Sequence, residues 1–145
     1  MRWRVGCGGE FDGPTGLITS PNYPMHYGDN LVCNYSITAS PDTYIIAQFI
    51  DKFEIESHPL CIYDRLAAYQ GNSSSSAPLG RYCGSQNPNP IVSHKNLFLQ
   101  FRTDGSISGS GFKISYTKQG QHHLAARVVY VSRLIYGPDY YTHTD

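Results

Sequence analysis

Four cysteines, Cys7, Cys33, Cys61 and Cys83, constrain this chain of 145 residues more than any other feature of its sequence. None of them forms a Cys-x-x-Cys pair, and this spacing argues against a zinc ribbon or a thioredoxin-type site. An even number of cysteines in a small, turn-rich chain indicates two disulfides and an oxidising compartment. Three pairings are possible on arithmetic alone, and the sequential one would close two loops that contribute roughly 3 kcal/mol each.

The chain between residues 7 and 118 consists of short apolar runs separated by Gly, Pro, Asn and Ser. Alternation is cleanest from Leu31 to Ala39 and from Leu97 to Thr103, and it predicts strands with one inward face. No long helical period interrupts these runs, so eight or more short strands at regular spacing predict a β-sandwich or jelly roll. The other predicted strands cover 17–19, 44–53, 63–70, 91–93 and 112–116, with 79–82 leading into Cys83, and with predicted loops at 71–78 and 104–111.

The charged residues are few and balanced, with eleven Lys and Arg against eleven Asp and Glu. This balance gives no broad electrostatic footprint for nucleic acid or for an anionic membrane. No stretch approaches the roughly 20 apolar residues that a membrane-spanning helix needs. The sequence has no nucleophile-elbow, zinc-protease or phosphate-loop motif, and it therefore predicts a domain that is not an enzyme.

Further features of the sequence favour an extracellular, secreted protein. Two glycosylation sequons begin at Asn34 and Asn72, and Asn34 falls on the polar side of its predicted strand. Residues 1–6 are a leader without structural signal, and they lack the apolar run of a signal peptide. We therefore expect the chain to be a piece of a longer protein. Residues 119–145 form a C-terminal tail whose structure the sequence does not decide.

The ordered series of motifs in this chain resembles the CUB domain family. Each motif alone is weak, but the series as a whole covers about residues 7–118 and is highly specific. One departure is Tyr35, where the family often has Trp, and both residues fill a core position. The motifs are Cys7-Gly-Gly, Gly16-Leu-Ile-Thr-Ser-Pro-Asn-Tyr-Pro24, Cys33-x-Tyr-x-Ile37, Phe49-x-x-x-Phe-x-Ile-Glu56, Cys61-x-Tyr-Asp64, Tyr82-Cys-Gly84, Asn96-x-x-Leu-x-Phe-x-x-Asp104 and Gly111-Phe-x-x-x-Tyr116.

The resemblance implies a two-layer antiparallel β-sandwich, jelly-roll-like, with the sequential disulfides Cys7–Cys33 and Cys61–Cys83. It also implies a domain at 7–118, between the leader and the tail.

Among CUB domains, this chain resembles the calcium-binding members. The acids that hold the ion in that group correspond here to Glu56, Asp64 and Asp104, and Ser106 corresponds to the loop position that gives a main-chain oxygen. The family's tyrosine that hydrogen-bonds the first acid corresponds to Tyr27. Calcium prefers six to eight hard oxygen ligands. Three carboxylates brought together without a cation would repel and raise the pKa of one another.

Three carboxylates around one Ca²⁺ leave a net charge of about −1, which suits the lysine ammonium or arginine guanidinium of a partner protein. Magnesium is a poorer candidate because it resists dehydration and demands octahedral geometry. Glu54 is expected to be a rim charge outside the site, and Tyr63 a packing residue. The predicted function is an extracellular protein-recognition module; the sequence predicts neither the partner's identity nor the oligomeric state.

Two other functions stay open at the level of the sequence. The chain could be a non-catalytic CUB piece of a secreted multidomain protease, in which it selects the substrate. It could instead be a free-standing CUB protein that binds carbohydrate or glycosaminoglycan. Exposed aromatics and a basic patch would favour that second alternative, and the balanced net charge argues against it.

Overall fold

The computed structural model describes residues 7–120, which form nine β-strands and no helix. Each strand is three to eight residues long, as expected of short apolar runs punctuated by turn residues. The strands are β1 (Gly9–Phe11), β2 (Thr15–Thr19), β3 (Val32–Ile37), β4 (Thr43–Phe49), β5 (Arg65–Gln70), β6 (Ala77–Tyr82), β7 (Ile91–Ser93), β8 (Leu97–Arg102) and β9 (Lys113–Gly120). Within this part of the chain, no helix could span a membrane.

The strands form two sheets that pack face to face. The five-stranded sheet has the order β1-β3-β8-β5-β6, and the four-stranded sheet has the order β2-β9-β4-β7. Neighbouring strands are antiparallel except for β1 and β3, which run parallel. The prediction of an all-β, two-layer sandwich is therefore confirmed.

The inward faces of the two sheets form one apolar core. On β8, Leu97, Leu99 and Phe101 are fully buried, which matches the alternation predicted from the sequence. Leu66 of β5 lies opposite Phe101, and Ala68 lies opposite Leu99, so that large and small side chains meet across the strands. Burial of each large apolar side chain stabilises the fold by about 1.5–3 kcal/mol. The core is therefore continuous along β8 up to the end at which Asp104 follows.

The two disulfides are Cys7–Cys33 and Cys61–Cys83, as the resemblance implied. The first joins the segment before β1 to β3. The second joins Cys61, in the connection between β4 and β5, to Cys83, the residue after β6. Cys61 lies three residues before Asp64. The two disulfides therefore lie at opposite edges of the five-stranded sheet, one near β1 and the other after β6.

Several strand boundaries differ from the sequence-based prediction, and one strand was not predicted. The predicted loop at 71–78 was wrong at its end, because β6 already begins at Ala77; Pro78 is tolerated there because β6 is an edge strand. The strand predicted to reach Phe53 ends at Phe49, and Asp51 turns the chain with a φ of 58°. The short β1 had no alternating pattern and was not predicted.

The last strand runs to Gly120, two residues past the predicted domain end at 118. The predictions for the leader at 1–6 and for the tail beyond residue 120 lie outside the described residues.

Candidate metal centre

Glu56, Asp64 and Asp104 come together at one end of the sandwich. Glu56 and Asp64 lie in the connection between β4 and β5, and Asp104 lies in the connection between β8 and β9. One carboxylate oxygen from each residue lies within 4.8 Å of the others. Oxygens bound to a single calcium ion at about 2.3–2.6 Å lie at most about 5 Å apart. The spacing of the three carboxylates is therefore compatible with one shared calcium ion.

Asp64 accepts hydrogen bonds from two other connections at this end of the sandwich. Its side chain is fully buried. Its Oδ2 accepts a hydrogen bond from the Tyr27 hydroxyl at 2.6 Å, and its Oδ1 accepts one from the Asp104 amide at 2.8 Å. The same Tyr27 oxygen accepts a hydrogen bond from the Glu56 amide at 3.1 Å. Asp64 and Tyr27 together therefore link three connections of the sandwich.

Tyr27 has a different partner from the one that the resemblance implied. The expectation was a bond to the first acid of the set, Glu56, whereas its hydroxyl donates to the carboxylate of Asp64 and meets only the main chain of Glu56. The ring is buried and packs edge-on against Phe101, with centroids 5.0 Å apart. Because the core fixes the ring, the hydroxyl is held at the depth of the buried Asp64.

Glu56 has a carboxylate oxygen without a partner. Its Oε1 is shielded from solvent and has no hydrogen bond to any described residue. Leaving a buried acceptor unpaired costs about 1–3 kcal/mol, and more when the group is charged. Burial raises the pKa of Glu56, and the negative charges of Asp64 and Asp104 raise it further. A cation beside Oε1 would remove both costs, so the donor set fits a metal ion.

Burial also raises the pKa of Asp64, although its hydrogen bonds from Tyr27 and from the Asp104 amide act in the opposite direction. For Tyr27, burial raises the pKa of the hydroxyl and the bond to Asp64 raises it further, so it stays a proton donor. The centre therefore concentrates negative charge that its own donors only partly offset.

The loop that carries Asp104 is held from both sides. The Asn30 amide donates to the Asp104 carbonyl at 2.8 Å, and the Ser106 amide donates to Asp104 Oδ1 at 3.2 Å. Gly109 lies so close to the main chain of Glu54 that an added Cβ would come within 2.5 Å of the Glu54 carbonyl oxygen. The Asp104 carboxylate is therefore oriented by its own loop, and Ser106 lies next to it.

Glu54 lies outside the carboxylate cluster, as expected, but it is more than a rim charge. Its Oε1 accepts hydrogen bonds from the amide and the hydroxyl of Ser110 at 3.1 and 3.2 Å. The bond from the Ser110 amide lowers the pKa of Glu54. Glu54 therefore helps to hold the loop of Asp104, a role that could not be predicted without the fold.

Tyr63 is 46% exposed, and its ring packs edge-on against His58.

The two predicted glycosylation sites lie on exposed surface. Asn34 is on β3, and its Oδ1 accepts a hydrogen bond from Gln100 at 3.0 Å. Asn72 lies between β5 and β6, and its Oδ1 accepts a hydrogen bond from Asn96. Glycosylation of either residue stays a prediction.

Comparison with known proteins assigns the family. The sequence model described as CUB domain matches residues 7–116. The chain belongs to the CUB domain family. CUB domains are non-catalytic protein–protein interaction modules of secreted proteins.

The relatives of this CUB domain are much longer proteins. It is 39% identical over 116 residues to Cubilin from Rattus norvegicus, covering 79% of this chain and 3% of that protein. It is 40% identical over 114 residues to Bone morphogenetic protein 1 from Xenopus laevis, covering 78% of this chain and 16% of that protein. The chain thus spans a small part of the length of these relatives.

Among solved structures, this CUB domain is similar to the crystal structure of the MASP-1 CUB2 domain bound to Ca²⁺. The two are 35% identical, with a TM-score of 0.68, and the match covers 77% of this chain and 99% of the other.

The raised pKa of Glu56 gives a pH dependence that can be measured in the metal-free protein. A carboxyl group whose pKa is raised by folding stabilises the fold below its pKa in the unfolded chain, about 4. That contribution is lost as the pH rises through the folded-state pKa. We therefore expect the free energy of unfolding of the wild type, minus that of Glu56→Gln, to fall as the pH rises above about 4. Urea unfolding of calcium-free protein at a series of pH values measures this difference.

The Glu54→Gln variant is the matched control for this measurement. Because folding lowers the pKa of Glu54, its contribution is present above the unfolded-state pKa and is lost as the pH falls. The difference between wild type and Glu54→Gln should rise with pH, opposite in sign to that for Glu56. The same sign for both variants would contradict the electrostatics described here.

Proposed function

We propose that this CUB domain is an extracellular protein-recognition module that binds Ca²⁺ through Glu56, Asp64 and Asp104. The bound ion would then let these carboxylates engage a lysine or arginine side chain of a partner protein. The observation that carries the proposal is the buried, unpartnered oxygen of Glu56 within 4.8 Å of the two other carboxylates. A buried, unpaired carboxylate oxygen destabilises the fold when no cation is bound, and it can serve as a ligand when one is.

Each residue of the centre has a distinct part in this proposal. Asp64 is fixed by Tyr27 and by the Asp104 amide, so it would present its remaining lone pairs without reorganisation. Asp104 and Glu56 would complete the carboxylate set, and Ser106 would add a main-chain oxygen. Tyr27 is a positioning residue. The ion would supply the positive charge that lets three acids share one surface.

The charge that remains at the centre defines the partner chemistry. Three carboxylates with one divalent ion leave about one negative charge, and an ammonium or guanidinium group can donate hydrogen bonds to their free lone pairs. The calcium-bound MASP-1 CUB2 structure supports the choice of metal for a relative of this sequence. The two disulfides support an extracellular location. We also propose 7–118 as the extent of the domain.

The proposal predicts calcium-dependent binding to a lysine-bearing surface. The probe is a synthetic Gly/Ser peptide with a single lysine, immobilised at high density, and surface plasmon resonance measures the binding. Wild-type protein should bind in millimolar Ca²⁺ and be released by chelator, because the carboxylates then lose their shared cation. A surface carrying the same peptide with N-acetyl-lysine should not bind, since acetylation removes the charge.

The Glu56→Gln variant is expected to lose this binding. Glu54→Gln should keep it, because Glu54 lies outside the cluster and the substitution keeps a side-chain oxygen that can accept the hydrogen bonds from Ser110. Equal retention on the lysine and acetyl-lysine surfaces, or in chelator, would contradict the proposed recognition. If calcium raises the thermal stability but the protein does not bind the lysine surface, the proposed metal site is supported. Only the proposed binding of a basic side chain is then contradicted.

A further inference from the structure

Three arginines lie on the solvent side of the five-stranded sheet. Leu66 and Ala68 of β5 point into the core, so Arg65 points outward, and Arg102 likewise alternates with the buried Phe101. Arg81 lies opposite Ala67 and is exposed. On the edge strand β1, the acid Glu10 faces outward opposite Ser36, which pairs with Phe98, four residues along β8 from Arg102. The outward positions of β3, β5, β6 and β8 within this sheet are Val32, Asn34, Ser36, Arg65, Ala67, Tyr69, Pro78, Arg81, Phe98, Gln100 and Arg102, and this set contains no acid. We call it the arginine face.

The strand register brings the three arginines close together. Arg65 and Arg102 are direct partners across β5 and β8, where Cβ atoms are about 4.5–5.5 Å apart. Arg81 is opposite Ala67, two residues along from Arg65, and this diagonal neighbour is about 7–8 Å away. The cationic groups therefore cross three adjacent strands, β8, β5 and β6.

None of these arginines has an acidic partner among residues 7–120. The ion pairs in that range join Lys52 to Glu54 and Lys113 to Asp51. Burial lowers the pKa of Arg65, and the charges of Arg81 and Arg102 lower it further. Asp64 and Asp104 are close in sequence, but they belong to the carboxylate cluster at the end of the sandwich. The arginine face is thus a local excess of three positive charges on a chain of zero net charge.

Such an arrangement works against the stability of the fold, since like charges directly opposite each other on two strands destabilise a sheet. Binding of an anion would reverse this penalty. Guanidinium groups present forked donors that match the oxygens of sulfate and carboxylate groups. The cations are spread across a sheet surface and are not gathered in a cavity, so they suit an extended ligand with repeated charges. Tyr69 and Gln100, on the same face, offer an aromatic ring and an amide, which are groups that contact sugars.

We infer that the arginine face is a binding site for a sulfated glycosaminoglycan, separate from the carboxylate centre. The disulfides place the domain in an oxidising, extracellular setting, where sulfated polysaccharides are the abundant extended polyanions. Binding at this site does not require calcium, because guanidinium groups of the protein bind the anion directly. A sulfated chain would lie across β8, β5 and β6 and pair successive charges with Arg102, Arg65 and Arg81.

The test uses heparin oligosaccharides and isothermal titration calorimetry in chelator. Because the sequon at Asn34 lies on the same face, all proteins carry Asn34→Gln so that no glycan covers it. We expect binding that weakens as salt rises, through release of counterions. Arg81→Ala and Arg102→Ala remove exposed side chains and should each weaken binding about tenfold. The matched control is Lys95→Ala, which removes one positive charge in the turn before β8, at the far end of that strand from Arg102, and should bind as tightly as its parent.

Four outcomes would overturn the inference. One is the lack of heparin binding to the parent protein at low salt. A second is an equal loss with Lys95→Ala, which would mean attraction to overall charge. A third is equally tight binding of poly-glutamate, which would assign the face to acidic protein segments. A fourth is binding that requires calcium or is lost with Glu56→Gln, which would place the ligand at the carboxylate centre. Failure of calcium or lysine binding leaves this inference untouched, so the two proposals fail separately.

Discussion

Calcium is expected to raise the melting temperature of the wild-type protein and to leave that of Asp64→Asn unchanged. A ligand that binds only the native state stabilises it by about 2.7 kcal/mol at a hundredfold excess over its Kd. For a domain of this size, that corresponds to a rise of about 10 °C. The Asp64→Asn change keeps the shape of the side chain but removes the charge at the centre of the hydrogen-bond network. Differential scanning calorimetry with and without millimolar Ca²⁺ measures the effect.

Glu54→Gln provides the comparison for this experiment. It removes one negative charge from a residue that follows the same strand as Glu56 but lies outside the cluster, and it keeps an oxygen that can accept the hydrogen bonds from Ser110. Its calcium-dependent shift should match that of the wild type, and magnesium should be less effective because it demands octahedral geometry. A wild-type protein that shows no shift in millimolar Ca²⁺ would rule out the metal site.

Phe101→Ala is expected to destabilise the domain by about 3–5 kcal/mol, the usual cost of a large cavity in a packed core. The Phe101 ring is fully buried and packs edge-on against both Tyr27 and Phe112, at centroid distances of 5.0 and 5.2 Å. Because Tyr27 positions Asp64, the same change should also reduce the response to calcium. Urea unfolding in chelator gives the first effect, and calcium titration of the folded variant gives the second.

Phe98→Ala is the matched control, since Phe98 lies on the same strand but faces the other side. Its ring contacts Tyr69 on the outer face and does not belong to the core shared by the two sheets. We expect a smaller loss of stability and an unchanged calcium response. Equal effects of the two changes would mean that the core does not support the acidic centre in the way described.

The parts of the fold that follow from the sequence are those with a regular period. Leu97, Leu99 and Phe101 alternate with Phe98, Gln100 and Arg102, and this pattern specified the inward face of β8. The three acids were predicted through the resemblance to calcium-binding CUB domains, because they fall on motif positions of that group. Local periodicity therefore predicted the strand pattern, whereas the resemblance predicted the site residues.

The parts that could not be predicted depend on pairing between distant segments. The strand β1 is only three residues long, and its parallel pairing with β3 supplies the hydrogen bonds that define it. The partner of Tyr27 depends on how deep the core places the ring. The arginine face depends on the register that puts Arg65 opposite Arg102. The numbers of positive and negative residues are equal, so the net charge did not indicate that three arginines lie together on one face.

The hydrogen bonds of Asp64 have a consequence for the lifetime of the molecule. Its partners lie 37 and 40 residues away along the chain, so these contacts form only after distant loops have closed. A partly folded chain would lack the acidic centre, and under the proposed function calcium would bind only the finished molecule. Proteases cleave chains that open, in proportion to how often they open. Calcium would therefore lengthen the lifetime of completed domains, while unfinished ones would be degraded.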